Sequence, residues 1–283
     1  MTVFMQGMTT YLQDFIPALA ISPVAALNFP KYSAFMSDVW SKKTVFVTGA
    51  SRGLGLGMVE EFLARGLIVA GCARAPSAPI SHDNFYYESI DVTDEATLSK
   101  FVGSVSEQAG AIDMWINNAG VLDPVRFLRD LTSSDLADHL NINVGGVLNG
   151  SRQFVAHRKK HGGHGVLINI SSGAATKGYA GWGAYCSGKA AVDRLSECLQ
   201  LEEGDTGLRV HSVAPGVIDT QMQETIRSLT QEEFPMVEKF HAIRRDNLFN
   251  TPKFVAQHLL TLAFSNEEVT HPVVIRLPNE SEA

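Results

Sequence analysis

The stretch TVFVTGASRGLG at residues 44–55 combines two features that together decide the fold. Its first half is a short apolar run, which is typical of a strand buried on both faces. Its second half is rich in glycine and leads into a helical pattern from Leu54 to Arg65. A buried strand, a glycine turn and a helix form the opening unit of a parallel α/β sheet, so this stretch predicts that class of fold.

The same alternation of apolar runs and helical segments continues along the chain. Further runs are LIVAGCA, FYYESIDV, IDMWINNAG, GVLINISS, LRVHSVAPG and HPVVIRL. This pattern predicts an α/β fold with a single Rossmann-type, doubly wound parallel sheet and helices on both faces. Ligands bind at the carboxyl ends of the strands in such sheets, and polar or glycine-rich residues follow Val47, Ile116, Ile170 and Val213.

Bulk composition narrows the classes of function. The chain has 283 residues, of which 45% are hydrophobic and 19% charged, so it can bury a sizeable core. A formal net charge of −7 provides no basic field for a phosphate backbone, which disfavours nucleic acid as a partner. Cys72, Cys186 and Cys198 are scattered and form no Cys-x-x-Cys pair, so we expect a reducing, cytoplasmic compartment.

Residues 1–40 differ from the rest and are predicted to be an N-terminal extension to a domain at residues 41–283. Their apolar segment FIPALAISPVAALNF is too short and too interrupted by proline to span a membrane. It also lacks the basic region of a secretory signal and the arginines of a transit peptide. Two alternatives remain open: a loosely ordered extension packed on the domain, or a translated leader upstream of a start near Met36.

Tyr185 and Lys189 stand four residues apart in WGAYCSGKAAVDRL, residues 182–195. On a helix this spacing puts both side chains on one face, with their β-carbons about 5 to 6 Å apart. A neighbouring ammonium group lowers the pKa of a phenol from about 10, which would make Tyr185 a better proton donor. In an arbitrary protein such a pair is more often a surface pair, so its meaning depends on the surrounding motifs.

Those motifs carry a family resemblance. TGASRGLG, NNAG, Ser172, YCSGK and APGVIDT, in that order, resemble the short-chain dehydrogenase/reductase superfamily from Lys43 to about Thr220. The blocks YCSGKAA, LEE and APGVIDTQMQ are similar in particular to the sepiapterin reductase and bacterial benzil reductase branch. The resemblance implies reduction of a ketone or vicinal dicarbonyl, a small-molecule carbonyl substrate, and a homodimer or homotetramer. An alcohol dehydrogenase working toward oxidation and a non-catalytic NADPH-sensing regulator remain as alternatives.

The end of the second strand indicates which cofactor is preferred. An acidic residue there would bind the ribose 2′-hydroxyl of NAD, but this strand ends AGCAR, with Arg74 just after it. Arg52 lies in the glycine turn, so two guanidinium groups could converge on a 2′-phosphate and favour NADPH by at least about tenfold. The predicted cofactor-binding residues, several of them implied by the resemblance, are Gly49, Ser51, Arg52, Gly53, Leu54, Gly55, Arg74, Asp91, Val92, Asn118, Ala119, Gly120, Tyr185, Lys189, Pro215, Gly216, Val217, Ile218 and Thr220.

The resemblance also implies four catalytic residues. Tyr185 would give its proton to the developing alkoxide, and Ser172, thirteen positions earlier, would hold the carbonyl oxygen beside it. Lys189 would bond the nicotinamide ribose hydroxyls, and Asn143 would position a water that leads protons to the lysine. Ser171 is expected to point away, because neighbouring residues of a strand face opposite sides.

Several other patterns have predicted roles without a catalytic one. Residues 221–250 fall where this superfamily has a variable substrate lid, and Trp182, Met222 and Phe234 are candidates for an apolar substrate pocket. His157, His161 and His164 follow one another at the end of a helix, where a solvated turn is favoured over a metal site. No metal is predicted. Asn117 is expected to be mainly structural, and in DVTD, residues 91–94, Thr93 or Asp94 could cap the following helix.

Overall fold

The computed structural model describes Trp40, residues 42–265 and residues 271–283. The predictions for residues 1–39, including a start near Met36, lie outside the described residues. Trp40, which the predicted boundary assigned to the extension, is buried in the core of the domain. Among the described residues, no helix has the length and apolar character needed to cross a lipid bilayer.

The described residues form seven strands in one parallel sheet, ordered β3-β2-β1-β4-β5-β6-β7. The strands are β1 (Thr44–Thr48), β2 (Ile68–Ala73), β3 (Phe85–Ser89), β4 (Met114–Asn117), β5 (Gly165–Ile170), β6 (Leu208–Ala214) and β7 (Val274–Arg276). Each of the seven predicted apolar runs contains one strand, so the predicted Rossmann-type sheet is confirmed. The strand order reverses between β1 and β4, and a ligand cleft is expected at that switch point.

Helices cover both faces of the sheet. They are α1 (Gly53–Ala64), α2 (Glu95–Ala109), α3 (Ser133–Leu140), α4 (Gly146–Lys160), α5 (Gly183–Glu203), α6 (Gln221–Ser228), α7 (Val237–Arg245) and α8 (Pro252–Phe264). Side chains of α1 and α8 pack on one face of the sheet, whereas those of α2 and α4 pack on the other. The predicted lid region contains α6 and α7, whose buried side chains join a third apolar cluster beside Tyr185.

A single turn of π-helix, Asn141–Gly145, joins α3 to α4. The Thr132 side chain and Asp135 form a capping box at the start of α3, which fixes where this long helical segment begins. A π-turn inserts one extra residue per turn and rotates the residues that follow it, and such turns are frequent at functional sites. Here the turn contains Asn143, whose side chain is buried.

Asn117, the last residue of β4, is the centre of a buried hydrogen-bond network. Its Oδ1 accepts from the Trp115 Nε1–H at 2.7 Å. Its Nδ2 donates to Asn169 Oδ1 at 2.8 Å, and to the Val147 carbonyl and Ser151 Oγ at 3.2 Å each. The network joins β4, β5 and α4, and the structural role predicted for Asn117 is confirmed.

The histidines at the end of α4 do not share one environment. His161 and His164 are exposed, as a solvated turn predicts, but His157 is buried and its Nε2 accepts from the Ile112 N–H at 2.9 Å. The prediction of a solvated turn was therefore wrong for His157, because this residue lies on the side of α4 that faces the sheet. Within the described ranges, no group of three or more potential ligands could hold a metal ion.

The buried His157 predicts an acid-sensitive contribution to stability. Burial lowers the pKa of His157 to about 4, whereas the ordinary pKa of a histidine is 6.5. Below pH 6.5 His157 is therefore protonated in the unfolded chain but stays neutral in the folded chain. The free energy of unfolding consequently falls as the pH falls toward 4. Between pH 7.5 and 5 this histidine should account for a loss of about 2 kcal/mol.

Urea unfolding of a His157→Gln variant at pH 7.5 and pH 5 checks this expectation. The variant should lose about 2 kcal/mol less than the unmodified chain over that interval. His241→Gln, a change at an exposed histidine on α7, is the matched control and should lose as much as the unmodified chain. An identical pH dependence in all three proteins would contradict the prediction.

Candidate active site

A cleft of about 1250 Å³ opens at the carboxyl ends of the strands. All of the residues predicted for cofactor, catalysis and substrate line it, apart from Phe234. The lining residues from the predicted set are Gly49, Ser51, Arg52, Gly53, Leu54, Gly55, Arg74, Asp91, Val92, Asn118, Ala119, Gly120, Asn143, Ser172, Trp182, Tyr185, Lys189, Pro215, Gly216, Val217, Ile218, Thr220 and Met222. The fold thus brings together segments that are up to 173 positions apart in the sequence, while the role of each residue stays a prediction.

The glycine turn between β1 and α1 forms one end of the cleft. Gly49 and Gly53 have φ angles of +69° and +56°, a region that favours glycine. A β-carbon at Gly55 would overlap the Gly49 carbonyl oxygen, so the tight turn itself requires this glycine. No side chain caps α1 and no acidic residue lies in its first turn, which leaves its amino-terminal N–H groups facing the cleft. Such a helix start suits a pyrophosphate.

Asn118 lines the cleft and also has a structural role, while its predicted contact with a cofactor stays a prediction. Its Nδ2 donates to the Thr48 carbonyl at 2.9 Å, and its backbone N–H donates to Thr48 Oγ1 at 3.0 Å. The side-chain amide therefore holds the end of β1 against the end of β4. Only those polar groups of Asn118 that do not bond to Thr48 are left for a contact with a cofactor.

Arg52 and Arg74 are exposed at the same end of the cleft. Arg52 Nη1 donates to Gln221 Oε1 at 2.5 Å, which connects the glycine turn to the first residue of α6. Arg74 directly follows β2. Neither arginine forms an ion pair with a carboxylate of the described residues, so both remain available to a bound anion.

In DVTD the helix cap expected at Thr93 or Asp94 is confirmed at Asp94, and the cofactor contact of Asp91 and Val92 stays a prediction. Asp94 caps α2, since its Oδ1 accepts from the Thr97 N–H at 3.1 Å. Asp91 lines the cleft, and its Oδ1 accepts from the backbone N–H and the hydroxyl of Thr93 at 3.0 and 2.8 Å. One short segment therefore starts a helix and shapes the cleft wall.

Ser172, Tyr185 and Lys189 meet at the other end of the cleft. Tyr185 and Lys189 are on one face of α5, and Lys189 Nζ is 5.8 Å from the centroid of the Tyr185 ring. Lys189 Nζ donates to the Ile170 carbonyl at 2.7 Å, which ties α5 to the end of β5. Ser172 forms a hydrogen bond with the Tyr185 hydroxyl, and Ser172 Oγ also accepts from the Ala174 N–H at 3.1 Å.

The pKa of Tyr185 departs from the expectation. Burial raises the pKa of the Tyr185 phenol, and the hydrogen bond from Ser172 only partly opposes this. Burial also lowers the pKa of Lys189 to about 8, which the charge of Asp193 partly offsets. The expected lowering of the tyrosine pKa by Lys189 is therefore wrong for the chain by itself. Loss of hydration is the largest cause of the raised tyrosine pKa, and the short hydrogen bond of the Lys189 ammonium group goes to the Ile170 carbonyl.

His139 is a residue of the site that the sequence reasoning missed. Its Nδ1 donates to the Asp123 carbonyl at 2.7 Å, so its Nε2 is free to accept from Asn143 Nδ2, also at 2.7 Å. Asn143 Oδ1 in turn accepts from the Val121 N–H at 2.9 Å. Burial lowers the pKa of His139, which keeps the ring neutral and able to accept. The one available signal was the spacing of His139 and Asn143, four apart and hence on one helical face.

The cleft has an aromatic wall at the end where Tyr185 lies. Trp182 lines the cleft, and its ring centroid is 5.6 Å from that of Tyr185 and 5.1 Å from that of Tyr179. Met222 lines the cleft from α6 and packs against the same apolar cluster as Trp182. Phe234 was expected in the wall, but it is fully buried and stacks behind Trp182 at 4.7 Å. Its place in the pocket was wrongly predicted, because the Trp182 ring separates it from the cleft.

Comparison with known proteins identifies a family. The family model for short chain dehydrogenases matches residues 43–231. The chain is 31% identical over 222 residues to the benzil reductase ((S)-benzoin forming) of Bacillus subtilis, covering 76% of this chain and 91% of that protein. It is 30% identical over 201 residues to the NADPH-dependent pterin aldehyde reductase of Arabidopsis thaliana, covering 68% and 81%.

A solved structure agrees with the fold. The short-chain dehydrogenase/reductase YIR035C from Saccharomyces cerevisiae superposes with a TM-score of 0.75 at 27% sequence identity. The superposition covers 85% of this chain and 98% of the yeast chain. The two proteins therefore share the arrangement of strands and helices.

Proposed function

We propose, from the premise that this chain belongs to the short-chain dehydrogenase/reductase family and resembles its benzil and pterin aldehyde reductases, that it is an NADPH-dependent carbonyl reductase. The observation that carries the proposal is the arrangement of the two ends of one cleft. Ser172, Tyr185 and Lys189 converge at one end, and Arg52 and Arg74 at the other have no carboxylate partner among the residues that the structure describes. Its substrates would be ketones or vicinal dicarbonyls of the benzil or sepiapterin kind.

The residues present fit a nicotinamide dinucleotide phosphate. The uncapped start of α1 suits the pyrophosphate, and the guanidinium groups of Arg52 and Arg74 suit the 2′-phosphate. Lys189 would bind the ribose hydroxyls. When bound, NADPH supplies the hydride for reduction of the carbonyl group.

The catalytic side chains have complementary tasks. Ser172 holds the carbonyl oxygen, and Tyr185 donates its phenolic proton to that oxygen as negative charge develops on it. Its high pKa keeps Tyr185 protonated until that moment. Trp182 and the neighbouring apolar wall exclude water, which strengthens both interactions. His139 fixes the orientation of the Asn143 amide, and thus the group predicted to position the proton-supplying water.

Catalysis in the oxidative direction would use the same groups in reverse, with the cellular supply of cofactor deciding the direction.

Homodimer or homotetramer formation and a cytoplasmic location complete the proposal. The three cysteines among the described residues are all free, which suits a reducing compartment.

The cofactor preference gives a direct test. We expect the unmodified chain to use NADPH over NADH by at least about tenfold in kcat/KM, and an Arg52→Ala/Arg74→Ala variant to lose that preference by weakening NADPH alone. Steady-state oxidation of each cofactor at 340 nm with benzil measures both ratios. Arg152→Ala, a change at an exposed arginine on α4, should leave the ratio unaltered. Equal use of the two cofactors by the unmodified chain would refute NADPH specificity, and cofactor binding without turnover would favour a sensing role.

A further inference from the structure

The charge of the cleft is opposite to that of the chain. The whole sequence has 23 basic and 30 acidic side chains. Among the described residues, the lining of the cleft instead has six cationic side chains and two carboxylates, those of Asp91 and Asp123. Focusing of one sign of charge in a cleft indicates a ligand of the opposite sign.

Three of the six cations have tasks in the proposed reaction. Arg52 and Arg74 face the phosphates, and Lys189 is beside Tyr185. The other three, which we call the mouth cations, come from separate elements: Lys177 from the loop after Ser172, Lys239 from α7, and Arg276 from the end of β7. Among the described residues, no mouth cation forms an ion pair with a carboxylate.

Two of the mouth cations share one aromatic ring. Lys177 Nζ is 5.4 Å and Lys239 Nζ 5.5 Å from the centroid of Tyr179, and Lys239 Nζ also donates to the Tyr179 hydroxyl at 3.5 Å. Cation–π contacts hold ammonium groups in place without neutralising their charge. Tyr179 thus positions two positive charges at the rim of the aromatic wall that leads through Trp182 to Tyr185.

The third mouth cation is directed at the loop that begins with Ser172. Arg276 Nη2 donates to Thr176 Oγ1 at 3.1 Å, and its guanidinium group lies against Gly173. A guanidinium group has five N–H donors in a planar fork, and a carboxylate accepts two of them side by side. The bond to Thr176 orients the fork and leaves donors for a ligand.

We propose that the mouth cations Lys177, Lys239 and Arg276 bind a carboxylate of the substrate, so that this cleft prefers carbonyl compounds that have an acidic group beyond an aromatic or apolar segment. This inference rests on the proposed reductase function and specifies its substrate class. The aromatic wall sets the spacing: the reacting carbonyl is beside Tyr185, the apolar segment packs on Trp182, and the carboxylate reaches the rim near Tyr179.

A pair of substrates that differ only in charge tests the proposal. Benzil-4-carboxylate and its methyl ester present the same dicarbonyl, and the acid should have a kcat/KM about tenfold higher than the ester at low salt, since each exposed ionic contact contributes only a fewfold. The ratio should shrink in 0.5 M NaCl, where exposed charges are screened. A Lys177→Gln/Lys239→Gln/Arg276→Gln variant should bring the ratio to about one.

Lys160→Gln is the matched control. Lys160 is an exposed lysine at the end of α4 and does not line the cleft, so this change should leave the preference for the acid as it is. Binding is measured separately from turnover by the quenching of tryptophan emission, because Trp182 is part of the wall. The acid should bind about tenfold more tightly than the ester by this readout as well.

The outcomes separate the two proposals. If neither compound is reduced, the reductase function fails, and the emission titration still decides whether the mouth cations select the acid. If both are reduced but the acid has no advantage, or the triple variant keeps it, the carboxylate subsite is refuted while the reductase function stands.

Discussion

Tyr185→Phe should lower kcat about a thousandfold, the largest effect on activity that we expect from any single change in this chain. The substitution removes the proton donor and leaves the aromatic ring packed between Trp182 and His139, whose rings meet it edge-on. The substrate carbonyl then keeps only the Ser172 hydroxyl as hydrogen-bond donor. Single-turnover oxidation of NADPH with benzil at 340 nm measures the effect without interference from product release.

Two controls separate this loss from a loss of structure. NADPH affinity, measured by the change in nicotinamide fluorescence, should change less than threefold in Tyr185→Phe, because the proposed phosphate contacts come from the far end of the cleft. Tyr86→Phe, the same substitution at a half-buried tyrosine of β3 outside the cleft, should retain full activity. A Tyr185→Phe protein that keeps more than a tenth of its kcat would exclude Tyr185 as the proton donor.

Asn117→Ala should lower the free energy of unfolding by about 3 to 5 kcal/mol, the largest effect on stability that we expect. The change leaves the buried Trp115 Nε1–H without its acceptor and removes the donor to Asn169 Oδ1. Each buried polar group left unpaired costs about 1 to 3 kcal/mol. Since the free energy of unfolding of an ordinary domain is about 5 to 15 kcal/mol, the variant would lose a large part of it.

Urea unfolding followed by tryptophan emission measures this loss. Asn149→Ala is the matched control on α4, where the amide donates only to backbone carbonyls, those of Val92 at 3.0 Å and of Thr93 at 3.5 Å. It should cost about 1 kcal/mol. Equal losses in the two variants would show that the network around Asn117 contributes no more than the backbone contacts of Asn149.

Local patterns predicted the elements of this fold well. The apolar runs identified every strand of the described sheet, and the Tyr185–Lys189 spacing was enough to place both side chains on one face of α5. These successes have one physical basis. The period of a strand or helix is set by backbone geometry, so it leaves a record in neighbouring residues.

The predictions that failed involve burial and long-range contact. His157 was expected in a solvated turn and is buried, Phe234 was expected in the pocket wall and is behind Trp182, and the pKa of Tyr185 is raised where a decrease was expected. In each case the local pattern was read correctly, but the environment was set by other elements. Desolvation depends on everything packed around a group, and no local spacing encodes it.

The sequence by itself determined the alternating strands and helices of the parallel α/β architecture, the glycine turn and the family-like order of the predicted catalytic residues, because each of these can be read from short motifs along the chain. Only the tertiary structure decided which carbonyl holds Lys189, that His139 orients Asn143, and that the mouth cations share one cleft. Lys177, Lys239 and Arg276 are up to 99 positions apart, and it is the contact of α7 and of β7 with the loop after Ser172 that places all three in the lining of one cleft.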